Sequence, residues 1–136
     1  MSNSQIRHTF VREERLKSRK VIAKLFERTG RAYLAYPIRV AWLPVEPASG
    51  IFSAQATFSV SKRAFRKATQ RNRIKRLMRE AWRLHKHVLY ARLEGQPCHV
   101  ALILMYVAKE ELGWAEIEAG VKKMIQKFPV ETLCKP

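Results

Sequence analysis

The sequence predicts a single α+β domain in which helices pack a small central sheet. Three observations predict it. The run "VALILMYVA" (Val100 to Ala108) is apolar on both faces, as a buried central strand requires, and too short to cross a bilayer. Ile38, Val40 and Trp42 recur at every second position, as do Ala54, Ala56, Phe58 and Val60, which marks two half-buried strands. Two longer stretches, about Thr69 to Leu93 and "WAEIEAGVKKMIQKF", carry apolar residues at helical spacing.

The elements follow in chain order. Residues 1–11 read as a flexible basic arm. A helix is predicted over about 12–28, with Leu16, Val21, Ile22, Leu25 and Phe26 as its apolar stripe and Gly30 just past its end. "AYPIRVAWLPV" and "IFSAQATFSVS" are strands separated by the turn "EPASG", an order that predicts an antiparallel pair. The long basic helix ends at "EGQP", and "CHVALILMYV" is the central strand. The last helix buries Ile117, Val121, Met124, Ile125 and Phe128, and residues 130–136 form a tail. There is no internal repeat, so residues 12–129 make one domain of order α-β-β-α-β-α.

Apolar residues make up 47% of the chain, enough for a real core. Lys and Arg total 27 against 11 acids, a formal charge of +16 with a pI near 10.6. All the acids are Glu, and none falls between Pro47 and Arg79. Charge of that size and concentration implies a polyanionic partner, nucleic acid ahead of an acidic membrane surface. Cys98 and Cys134 are too few for a disulfide framework, so free thiols in a reducing cytoplasm are expected. The N-terminus lacks an apolar signal region, which predicts a soluble cytoplasmic protein with no membrane partner.

Lys62 to Arg83 holds ten Lys or Arg and one acid, Glu80. At about 100° per residue, Ile74, Leu77, Met78, Ala81, His85, Val88 and Leu89 share one side of the helix. Asn72, Lys75, Arg76, Arg79, Arg83 and Lys86 share the other, and Trp82 sits at the apolar edge as core. Like charges recur at i,i+4 in Lys75/Arg79 and Arg79/Arg83, which repel by a few tenths of a kcal/mol. Solubility does not call for that arrangement, whereas a phosphate backbone does, through counterion release. Arginine forks bind phosphate in two-pronged fashion. Asn72 carries the donor and acceptor needed for a base edge or a 2′-hydroxyl.

Other constellations are weaker. His85 and His87 are two apart on a helix and point away from each other, so they make no metal pair. Cys98 and His99 face opposite ways at a strand start and make no nucleophilic dyad. A groove-reading helix for duplex DNA is a rival use, but no helix-turn-helix, zinc spacing or heptad accompanies it. A metal-dependent nuclease gathers acids around Mg²⁺, and this chain has no Asp. A plain structural binder of nucleic acid, such as a ribosomal or DNA-compacting protein, stays open on these residues alone.

"FSVSKR" (Phe58 to Arg63) followed by "RNRIKRLMREAWR" (Arg71 to Arg83) resembles the signature of the bacterial ribonuclease P protein component. The similarity runs more weakly over about Arg15 to Phe128. It implies an α-β-β-β-α-β-α fold with a left-handed crossover, one strand more than the pattern reading finds, expected near Ser59 to Phe65. It implies the small protein subunit of an endoribonuclease that removes the 5′ leader of precursor tRNA. In such an enzyme the RNA subunit is the catalyst and holds most of the Mg²⁺. The implied partners are the catalytic RNA and precursor tRNA, with no obligate protein partner and no catalytic or metal-ligating residue on the chain. By motif position, Arg71, Asn72, Arg73, Lys75, Arg76 and Arg79 would face the RNA, with Arg83, Lys62, Arg63, Arg66 and Lys67 beside them. A leader cleft would involve Phe26, Ile22, Arg39 and Ala41. Ile22 and Ala41 stand where many members carry aromatics, and the spacer "AFRKATQ" is one residue longer than usual, with Phe65 as a new apolar contact.

Overall fold

The run Val100 to Ala108 becomes the middle of the sheet because both of its faces must leave water. In the computed structural model, which describes residues 10, 14–26, 31–45 and 53–133, this run forms most of a strand over His99–Tyr106. The full order is α1 (Arg19–Leu25), β1 (Arg31–Ala35), β2 (Ile38–Val45), β3 (Ala54–Val60), α2 (Ala68–Leu93), β4 (His99–Tyr106) and α3 (Trp114–Lys127). A 3-10 turn over Val130–Thr132 follows. The sheet runs β1-β2-β4-β3, so β4 has a neighbour on each side. It pairs antiparallel with β2 and parallel with β3.

That order corrects two expectations. The strands at 38–45 and 54–60 are not partners, since β4 lies between them. The missing strand is β1, at Arg31–Ala35, and not near Ser59 to Phe65. Residues 61–66 instead form a turn, closed by Phe65 N–H donating to the Ser61 carbonyl at 3.1 Å. β1 escapes a pattern reading because "RAYLA" has one side on α3 and the other open, at only five residues. It joins β2 through Tyr36 and a cis Pro37. Gly120 of α3 underlies this link: a Cβ there would come within 2.8 Å of Pro37 Cδ. Only a hydrogen lets helix and hairpin approach so closely.

One face of the sheet carries the main core. Ile38, Val40 and Trp42 from β2, Ala54, Ala56 and Val60 from β3, and Val100, Leu102, Leu104 and Tyr106 from β4 meet α2 and α3. Ile117, Val121, Met124, Ile125 and Phe128 are all buried, as their spacing predicts. Trp42 packs its ring on Tyr33 and Phe128, with centroids 5.6 Å and 5.2 Å apart. Each large side chain so buried contributes about 1.5–3 kcal/mol. Arg92 near the end of α2 donates to the Ile125 and Gln126 carbonyls at 2.8 and 3.1 Å, and so satisfies the C-terminus of α3.

The opposite face carries a smaller cluster under α1, built from Leu16, Leu25, Ala41, Ala101 and Ile103. α1 is shorter than the apolar stripe predicts. Ser18 is its N-cap, accepting from Val21 N–H at 3.3 Å. Before it, Leu16 N–H donates to the Ala56 carbonyl at 3.0 Å, and Arg15 bridges Ala56 in parallel. Residues 14–16 therefore lie along the β3 edge and are unavailable to a helix. Phe26 caps the other end of α1 and is 58% exposed, so it is not core.

Cys98 is disulfide-bonded, which corrects the free-thiol expectation. The sequence holds one other cysteine, Cys134, outside the described residues. Leu133 is buried in the same cluster against which Cys98 packs. Among the described residues no helix is long and apolar enough to cross a membrane.

Lys86 also departs from its expected side. It is 3% exposed, and its ammonium pairs with the carboxylate of Glu14, itself 1% exposed. The Tyr90 hydroxyl donates to the same carboxylate. Lys86 follows the buried Trp82 by one turn, so segment 14–16 and α2 enclose it together. Val88, expected on the apolar side, lies exposed.

Two outcomes follow from this packing. Lys86→Met removes the buried counter-ion of the Glu14 carboxylate and should cost about 3–5 kcal/mol in denaturant unfolding, while Lys86→Met with Glu14→Leu should regain most of it. Burial raises the Tyr33 hydroxyl, and burial with the Glu14 bond raises that of Tyr90. A raised folded pKa stabilises fully below the unfolded value, near 10, and the benefit is lost as pH climbs beyond it. Melting temperature should therefore fall above about pH 10, with phenolate absorbance rising together with unfolding.

Candidate nucleic-acid interface

α2 divides its circumference as the sequence requires. Ile74, Met78, Ala81, Trp82, Leu89 and Leu93 are buried against the sheet and α3. Asn72, Arg73, Arg76 and Arg79 are exposed on the far side, and Lys75 and Arg83 are half-buried beside them. The helix holds this pose because α2 contacts α3, β3 and β4 at once.

The basic residues of this face are not equivalent. Arg71 donates from one guanidinium nitrogen to the Phe65 and Arg66 carbonyls, at 2.8 and 3.0 Å. It ties the turn ahead of the helix to the first helical turn. The Ser61 hydroxyl accepts from the Arg63 and Ala64 N–H groups at 3.1 and 3.3 Å, which shapes the same turn. Phe65 is buried, its ring 5.8 Å from that of Tyr106. The longer spacer is thus held by a core aromatic. Lys62, Arg63, Arg66 and Lys67 project outward around it and continue the cationic face of α2.

Among the described residues, two carboxylates touch the face. Glu80 accepts from Arg83 Nε at 3.1 Å, which holds its carboxyl below the usual range and pushes the guanidinium up. This is an i,i+3 surface pair of small energetic weight. Glu111, from the loop after β4, lies 3.6 Å from Arg73 and accepts from Gln70 at 3.1 Å. Arg73 keeps 62% of its side chain exposed despite that contact.

Arg79 lies over the Phe58 ring, its guanidinium carbon 6.0 Å from the centroid. Phe58 meets Phe10 edge to face at 5.9 Å, and Arg15 lies 5.6 Å over Phe10. Phe10, Arg15 and Glu111 carry no local signal of this placement in the sequence. Phe10 falls in the stretch read as an arm, Arg15 in one read as helix, and Glu111 in an ordinary loop.

The four cleft candidates sit on the α1 side of the sheet. Ala41 is buried and Ile22 half-buried in the cluster under α1, while Arg39 and Phe26 are exposed. Arg39 stands in register with Leu34 on β1 and Met105 on β4, and Met105 with Ser59 on β3. The row Leu34–Arg39–Met105–Ser59 crosses all four strands. Leu34, at 57% exposure, and Arg39 leave its β1–β2 end open. His85 turns to α3, its Nε2 2.8 Å from Glu118.

The family profile described as Ribonuclease P matches residues 10–129. The "Ribonuclease P protein component" of Porphyromonas gingivalis is 34% identical over 114 residues, 84% of this chain and 82% of that one. That of Chlorobaculum tepidum is 36% identical over 106 residues, 74% and 68% of the two chains. The fold is shared with the ribonuclease P protein of Thermotoga maritima, at TM-score 0.64 and 20% identity over 85% of this chain and 97% of that one. The Staphylococcus aureus protein superposes with TM-score 0.62 at 19% identity, covering 86% and 96%. A one-sided basic helix between β3 and β4, on this fold and with these relatives, leads to one assignment: the chain belongs to the ribonuclease P protein family.

Proposed function

We propose that this protein is the RNA-binding subunit of a ribonucleoprotein endonuclease that removes the 5′ leader from precursor tRNA. The observation that carries the reading is the sided helix α2. Arg76 and Arg79 face outward from a helix whose other side is locked into the core. Rigid presentation of guanidinium groups lowers the entropy lost on binding phosphate. On this reading α2 and the 62–67 turn contact the catalytic RNA, with Asn72 placed for a base edge or 2′-hydroxyl. The open row around Arg39, with Phe26 at the end of α1, receives the leader. Its chemistry is a cation among apolar groups rather than a set of stacked rings.

The chain supplies binding and the RNA partner supplies the reaction. Among the described residues no group of three or more His, Cys, Asp or Glu gathers that could hold a metal ion. On this reading Mg²⁺ would be held mainly by the RNA subunit, where it would activate water and stabilise the leaving oxygen. The protein's positive face lowers the Mg²⁺ needed to bring two polyanions together. Precursor tRNA places the work in the cytoplasm.

Reconstitution with the cognate catalytic RNA tests this directly. At low Mg²⁺ the protein should restore leader cleavage and favour 5′-extended over mature tRNA; no gain in cleavage would reject the role. The arginines should separate by kind. Arg76→Ala should keep its melting temperature, weaken RNA binding and flatten the salt slope by about one charge. Arg71→Ala should lose about 1–3 kcal/mol of stability, since two turn carbonyls lose their donor.

A further inference from the structure

We propose that Arg15, seated on Phe10, extends the RNA-binding surface from α2 across the edge of β3. The inference rests on the reading of α2 as the RNA face and adds a second strip to it. The ligand is the phosphodiester backbone of the RNA subunit.

The geometry is a chain of contacts leading off the helix. Arg79 lies on Phe58, Phe58 meets Phe10 edge to face, and Arg15 lies on Phe10. A guanidinium held over an aromatic face spends no hydrogen-bond donor on that contact. Arg15 is exposed, yet its backbone is fixed by the bridge to Ala56 and by the adjacent Leu16 N–H bond to the Ala56 carbonyl. A mobile arm would leave such an arginine to be ordered on binding, whereas here that cost is met by the fold.

What fixes the strip is the buried pair beneath it. Glu14 turns inward to Lys86 and Tyr90 and leaves Arg15 and Lys17 facing out, with Leu16 in the core. The only acid in this four-residue strip is thereby neutralised inside the protein. Lys86 also lies 5.8 Å from the Phe10 centroid, so the ring is steadied from below as well. β3 is an edge strand of the sheet, and this strip is what borders it. Ion pair, bridge and ring contacts together present a basic strip continuous with Arg79.

Binding of the full chain to a transcript of the cognate RNA subunit, over a range of salt, tests the assignment. Arg15→Ala should bind about three- to tenfold more weakly near physiological salt, with the log–log salt slope smaller by about 0.7–0.9. Phe10→Leu should show part of that loss. Lys122→Ala, on the exposed side of α3, should match the parent. Arg15→Gln keeps most of the stem, and serves if the alanine variant melts early. Arginine 15 variants that bind within twofold of the parent, while Arg76→Ala is weakened, would overturn this inference and leave the proposed function standing. If Arg76→Ala also binds like the parent, both fall. Weaker binding with an unchanged slope and a lowered melting temperature would make Arg15 a structural residue and overturn the inference too.

Discussion

Everything on the basic face depends on the grip of the sheet on the other side of α2. Like charges one turn apart repel by a few tenths of a kcal/mol per pair. Each of Ile74, Met78, Trp82 and Leu89, buried on the opposite side, returns roughly 1.5–3 kcal/mol. The second quantity exceeds the first several-fold, so the protein can hold a concentrated charge without unfolding. The same grip fixes where the charge points. α2 lies over β3 and β4 and against α3, and each contact removes a rotation that would scatter the arginines.

Within that frame, basic residues divide into three kinds that composition cannot distinguish. Arg71 and Arg92 act on backbone carbonyls and hold the protein's own loops and helix ends. Lys86 is internal and pairs with Glu14. Arg76, Arg79, Lys62 and Arg63 face solvent. A net charge of +16 therefore overstates what is available to a partner. Glu80 and Glu111 temper the rest, yet each touches the margin of the face and leaves Arg76 and Arg79 clear of both pairs.

The sequence reveals what is periodic and conceals what is tertiary. α2, β4 and α3 are legible because each repeats a pattern over many residues: the first and last helices of that trio at 3.6, the strand by continuous apolarity. Trp82 is likewise legible as core. β1 is hidden because five residues with one open side make a weak pattern. The pairing of β2 is hidden because adjacency in sequence suggests a hairpin, whereas the most apolar strand takes the middle of the sheet. Lys86 is hidden for a different reason. Counted with the cationic side, it stands at the border with the apolar arc, and only the arrival of residues 14–16 decides which way it turns. The cationic face itself follows from the motif, but Arg15 reaches it through contacts of rings that lie far apart in the chain.

The pair of Glu14 and Lys86 joins residues 72 positions apart in the sequence. On the ribosome the glutamate emerges first and its lysine much later, after β3 and most of α2 have been made. The N-terminal strip consequently has no place to dock while the crossover is still being synthesised. Its closure can only come late, once α2 has settled on the parallel strands, and such nonlocal pairing is the slow part of folding. Until the domain is complete, the nascent chain therefore carries its basic residues without the fixed arrangement that the fold gives them.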